Sequence, residues 1–190
     1  MQAKIVIAGI GGRGVLFTTR VLAEAAREKG LPVLVSETHG MSQRRGSVLS
    51  QIKIGAEESP LIRPGTADIM LALEKEEGLK NLAYVKEGGM VIVNTDQLQM
   101  GSRDIAHLLE EKRIKVFFVD ADRTAANTGY FMAANMVLLG FLEARAKQEL
   151  TELDLRATLE RLSPEEYLQV NLTAFDAGEH LGQDSSPYQE

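Results

Sequence analysis

Apolar and polar positions along the chain switch repeatedly between two periods. Residues 4–8 (KIVIA) form an unbroken, largely β-branched apolar run, the pattern of a strand covered on both faces. From residue 14 to residue 29 the spacing becomes helical, with Val15, Leu22 and Ala26 on one face. That stretch ends with Arg27, Lys29, Gly30 and Pro32, which are cations for the helix terminus, a glycine stop and a residue that cannot continue a helix. Residues 31–36 read as a second strand. Residues 47–54 (SVLSQIKI) alternate apolar and polar, which predicts a half-exposed strand at a sheet edge. Residues 67–73 and 90–94 are further buried strands, with residues 75–84 as the crossover helix and Gly88–Gly89 as the turn back into the sheet. Ser102 opens a helix carrying Ile105, Leu108 and Leu109 on one face, and residues 115–119 (KVFFV) form the last strand. Helical spacing then covers 130–146, 153–162 and 165 to about 175. Thr151 with Asp154, and Ser163-Pro164 with Glu166, supply start signals.

Strands separated by helices predict an α/β fold: a doubly wound, mostly parallel, Rossmann-like sheet with helices on both faces and a helical C-terminal part. No linker or repeat divides the chain, so residues 1–180 are expected to form one domain. Residues 181–190 are a polar tail expected to be loose.

Charge and composition remove several function classes. The 190 residues carry 21 Lys and Arg against 27 Asp and Glu, a formal net charge of −6, so no broad basic surface for nucleic acid is expected. The apolar runs are far shorter than a bilayer requires, and the N-terminus reads as a strand rather than a basic leader with a long apolar stretch; a cytoplasmic domain is expected. There is no cysteine, hence no disulfide and no thiolate for an iron–sulfur cluster or zinc. His39, His107 and His180 lack metal-ligand spacing. No catalytic residue and no metal ligand is assigned to this chain.

Candidate chemistry concentrates in two segments. Gly9, Gly11 and Gly14 satisfy G-x-G-x-x-G between a strand and a helix, with Gly12 and Arg13 inside the turn. Such a turn can lay a pyrophosphate on the N–H groups of the helix start, and Glu37, at the end of the second strand, stands where a ribose-binding acid would. A stand-alone NAD-binding module is therefore open on these residues, as is a turn that serves only close packing. The second segment holds His39, Gly40, Gln43, Arg44, Arg45 and Gly46. It follows the second strand, at the end of the sheet where open α/β folds place their sites, and adjacent guanidiniums there suit an anion. The alternative is a solvated loop.

Together, GIGGRGVLFTTRVLAEAA and SETHGMSQRRGSV resemble the γ subunit or γ domain of the 2-oxoacid:ferredoxin oxidoreductases, and within that family the small subunit of the indolepyruvate branch. The likeness continues through ADIMLALEKEEGLKNLAYVKEGGMVIVN, NTGYFMAANMVLLGFL and NLTAFDAG. Two positions depart from the family's usual pattern, which has G-G-Q-G where Arg13 stands and R-G-G where Arg45 stands. The resemblance implies a subunit of an enzyme that oxidatively decarboxylates a 2-oxo acid with coenzyme A, giving an acyl-CoA, carbon dioxide and reduced ferredoxin. It also implies that thiamine diphosphate, magnesium and iron–sulfur clusters belong to a large partner subunit, with coenzyme A there or at the interface. This chain would then be inactive alone, free to form a homodimer when isolated, and would meet ferredoxin only indirectly. Gly9, Gly11, Gly12, Arg13, Gly14, Glu37, His39, Gly40, Gln43, Arg44 and Gly46 are the expected ligand or subunit contacts.

Overall fold

A computed structural model describes residues 1–40, 46–55 and 58–188, the side chain of His39 excepted. Among them, six strands form one sheet: β1 (Ala3–Ile10), β2 (Val33–His39), β3 (Ser47–Ile54), β4 (Ala67–Ala72), β5 (Val85–Asn94) and β6 (Lys115–Val119), in the order β2-β3-β1-β4-β5-β6. Strands β1, β4, β5 and β6 are mutually parallel, while β3 runs antiparallel to both of its neighbours. The helices are α1 (Val15–Glu28), α2 (Lys75–Asn81), α3 (Arg103–Glu111), α4 (Ala121–Asn127), α5 (Ala134–Arg145), α6 (Leu155–Leu162) and α7 (Glu165–Asp184). One face of the sheet packs Ile5, Ile7, Ile69 and Ile92 against α1, α5 and α7. The other packs Val6, Met70, Val91 and Val116 against Leu82, Leu109 and neighbouring residues of α2 and α3. The doubly wound, mostly parallel expectation holds.

The predicted edge position of residues 47–54 does not. Strand β3 is inserted between β1 and β2, and β2 takes the edge. Its alternation is genuine, since Val48, Ile52 and Ile54 face the α1 side and Gln51 and Lys53 the other. The polar side is roofed instead of solvated: the buried Gln51 accepts the Ile62 N–H at 2.6 Å through Oε1, so the chain leaving β3 folds back over it. A polar residue in an alternating strand thus marks a hydrogen-bonded roof as readily as water.

The C-terminal third is built on helix α5, which is buried from Ala134 to Leu142. Helix α7 lies against it so closely that a Cβ on Gly178 would stand 1.9 Å from the Val137 carbonyl oxygen, and one on Gly140 would stand 2.0 Å from that of Phe175. Helix α7 runs to Asp184, past the predicted end near residue 175. Nor are the last described residues loose: the Tyr188 N–H donates to Val116 O at 2.8 Å and its ring meets Phe118 edge-on at 5.2 Å. The tail is a strap on the free edge of β6, where unpaired strand carbonyls would otherwise face water.

Candidate functional site

The parallel strands deliver their carboxyl ends to one rim of the sheet. There the glycine loop follows β1, Glu74 follows β4, Asn94 ends β5 and Asp120–Asp122 follow β6. Each glycine has a different job. A Cβ on Gly9 would stand 2.8 Å from Val15 Cγ2 and 3.2 Å from Leu73 Cβ, so Gly9 lets the strand and helix close up. Gly14 caps α1 at φ 83°, in the left-handed region, with Asn135 Nδ2 only 2.2 Å from where a Cβ would be. Gly12 also has positive φ, at 88°, and its outer side is open. The first bond of α1 runs from the Thr18 N–H to Gly14 O, no side chain caps the helix, and no acidic residue occupies its first turn. The N–H groups of residues 15–17 thus point out of the rim, a geometry suited to an anion.

The two predicted segments do meet. The Gly11 N–H donates to Gly46 O at 3.0 Å, and the Gly40 N–H donates to Ser47 O at 2.8 Å. His39 pairs with Val48 along β2 and β3. Gln43 and Arg44 lie outside the described residues. Glu37 is exposed and pairs with Ser50, which pairs in turn with Ile7 of β1. The antiparallel β3 therefore separates Glu37 from β1 by two strand spacings, roughly 9–10 Å. A ribose acid on the strand beside β1, as the dinucleotide reading requires, is not there, and the stand-alone NAD module is not supported.

Arg13 is engaged within the chain. Its Nε lies 2.6 Å from Glu74 Oε1, and its Nη2 donates to both Asp122 oxygens at 2.7 Å. Burial works against the charge, but the hydrogen bond and charge of Asp122, and after them those of Glu74, outweigh it and hold the guanidinium above its ordinary pKa. The buried Asn94 ties three strand ends together: its Nδ2 donates to Leu73 O (3.2 Å) and Asp122 Oδ2 (2.9 Å), and its Oδ1 accepts the Ala121 N–H (3.0 Å). Beside this knot lies a cleft of about 530 Å3 lined by Glu74, Glu76, Asp96, Asp120 and Asp122 against Lys75 and Arg123. The excess of carboxylates makes this side of the rim unfavourable to an anion.

The opposite side of the loop is apolar. Asn135, at the start of α5, reaches towards Gly14 O and Thr18 Oγ1, which sets the turn at residues 131–133 beside the first turn of α1. Phe131 is 66% exposed, Met132 48% and Leu16 45%. Tyr130 stacks on Tyr167 at 5.8 Å, extending the aromatic surface to the start of α7. Large apolar side chains grouped this way mark a contact surface rather than scattered exposure. The sequence reading missed Glu74, Asn94, Asp122, Asn135 and this patch. The available signal was the D-A-D directly after a strand, at residues 120–122. Among the described residues no group of three or more His, Asp or Glu could hold a metal ion, and no helix is long and apolar enough to cross a membrane.

Comparison with known proteins matches this arrangement. The profile of the pyruvate ferredoxin/flavodoxin oxidoreductase family covers residues 4–180. The chain belongs to this family. It is 34% identical over 190 residues to indolepyruvate oxidoreductase subunit IorB of Thermococcus kodakarensis, covering 93% of this chain and 94% of that protein. It is 31% identical over 186 residues to 2-oxoglutarate synthase subunit KorC of Methanothermobacter marburgensis, covering 95% of this chain and 97% of that one. The crystal structure of the keto/oxoacid ferredoxin oxidoreductase γ subunit of Geobacter sulfurreducens superposes with a TM-score of 0.76 at 24% identity, over 96% of this chain and 99% of that chain. That last likeness establishes the fold. The family member described here is of the small-subunit type of the 2-oxoacid:ferredoxin oxidoreductases.

Proposed function

We propose that this small subunit docks through the carboxyl rim of its sheet on a large subunit carrying thiamine diphosphate, magnesium and iron–sulfur clusters, and there helps to form the cleft for substrate and coenzyme A. The observation that carries the reading is the junction of the glycine loop with the second segment, Gly11 N–H to Gly46 O, flanked by exposed Leu16, Phe131 and Met132. The chain has no cysteine with which to ligate a cluster, so electron transfer to ferredoxin belongs to the partner. The thiamine ring supplies the carbanion chemistry of decarboxylation when bound there. The contribution of this chain is positional: the apolar patch excludes water at the contact, and the N–H groups opening α1 face the pyrophosphate of coenzyme A. The acidic cleft beyond Arg13 repels that pyrophosphate, so the ligand enters from the Gly12 and Leu16 side. Gln43 and Arg44 complete the anion contact in this reading.

The substrate is an aryl 2-oxo acid of the indolepyruvate type. The greater identity to the indolepyruvate subunit than to the 2-oxoglutarate subunit supports this choice. The test has two arms. Titration of the large subunit with Phe131→Asp and with Arg44→Ala should each show at least about tenfold weaker association or coenzyme A affinity, roughly 1.4 kcal/mol. Wild-type behaviour of both variants removes the docking face. Rates of the assembled enzyme should be higher on indolepyruvate and phenylpyruvate than on pyruvate and 2-oxoglutarate, and the reverse order removes the substrate assignment.

A further inference from the structure

On the α3 side of the sheet, a cavity of about 580 Å3 opens between α3, β6 and the C-terminal strap. Its volume lies in the range that holds small organic ligands. Met100, Leu109, Ile114 and Phe118 form an apolar wall, and Pro187 and Tyr188 of the strap close one side. The strap is fixed there by the Tyr188 N–H to Val116 O bond, so the wall is part of the fold.

Two cations stand on this cavity, Arg113 and Lys115, with Glu110 beside them. Both are exposed, and neither joins an ion pair among the described residues. Arg113 also occupies an unfavourable backbone position. Helix α3 ends with Ile114 N–H bonded to Leu109 O and Arg113 N–H bonded to Glu110 O, both at 2.9 Å, which is the paired-bond terminus that normally ends on glycine. Arg113 sits there at φ 53°, the described non-glycine residue held in the left-handed region. Glycine would adopt this conformation without the Cβ penalty. The strain keeps a guanidinium at the mouth of an apolar cavity, and stored backbone strain of this kind collects at ligand sites.

We propose that this cavity binds a small organic anion with a flat apolar body, its ring system against Leu109, Ile114 and Phe118 and its carboxylate or sulfonate at Arg113 and Lys115. The site shares no lining residue with the acidic cleft at the carboxyl rim and takes no part in the reaction proposed above. The probe is 8-anilinonaphthalene-1-sulfonate, an aryl body with one anionic group, titrated by calorimetry and fluorescence into the full chain. One saturable site per chain is expected. Arg113→Gly should weaken binding about tenfold, the loss of one charge-assisted contact, while the melting temperature holds or rises by about 2–4 °C as the strain is relieved. Ala106→Phe fills the cavity from α3 and should abolish binding with the cooperative melt retained. Failure of the wild-type chain to saturate at one site, or wild-type affinity in either variant, overturns the proposal.

Discussion

Replacing Arg13 by alanine removes the ion pairs that tie the glycine loop to Glu74 after β4 and Asp122 after β6. Its guanidinium holds Glu74 through Nε and Asp122 through Nη2, and the three side chains are 27%, 32% and 51% exposed, respectively. Fully exposed pairs contribute about 0.2–1 kcal/mol each. Two short, partly shielded pairs sharing one cation therefore contribute about 1.5 kcal/mol together, part of it lost because two carboxylates are left facing one another. At about 2–4 °C per kcal/mol for a chain of this size, the melting temperature should fall by roughly 3–6 °C. In 1 M salt, where charges are screened over about 3 Å, the deficit should shrink. The assay is a double-mutant cycle by thermal melting of the isolated chain, with Arg13→Ala, Asp122→Asn and the pair in low and high salt. Coupling is expected, the double variant losing less than the sum of the singles. Strict additivity, or an Arg13→Ala melt equal to the wild type's, refutes the reasoning.

Gly178→Ala drives a methyl into the Val137 carbonyl, which stands 1.9 Å from the Cβ position, and should cost at least about 2 kcal/mol in urea unfolding. Glu143 is half-buried near the end of α5, facing the start of α6. That burial, partly offset by the Leu155 N–H it accepts at 2.8 Å and reinforced by Asp154 and Glu179, raises its pKa above the ordinary 4.5. The folded chain thus favours the protonated carboxyl, a contribution fully present below about pH 4.5 and lost as pH rises through the raised value. Glu143→Gln keeps an acceptor for Leu155, so its stability relative to wild type should rise with pH across that window in paired urea melts, and a flat difference contradicts the assignment.

The parallel core was legible because β1, β4, β5 and β6 are apolar runs that only a sheet covered on both faces can accommodate. The place of β3 was not, since the pattern of SVLSQIKI states which positions face the core but not what covers the polar ones. The extent of α7 was hidden for a related reason: glycine has low helix propensity, yet Gly178 and Gly182 lie within α7 because they are points of close approach to α5. At the site, the glycines could be placed because their spacing follows from a strand–helix turn. The partners of Arg13 could not, because Glu74 and Asp122 come from elements 61 and 109 residues away and meet only when the parallel strand ends gather.

In the proposed function, this chain is an obligate partner in a 2-oxo acid oxidation that it cannot perform alone. The most direct measurement is coenzyme A-dependent reduction of a viologen dye with indolepyruvate, for the isolated chain, the isolated large subunit and their mixture. No turnover is expected from this chain, and turnover by the mixture should rise with added small subunit to a stoichiometric plateau. Turnover by this chain alone, or a large subunit whose rate and coenzyme A dependence are unchanged by adding it, contradicts the proposed role.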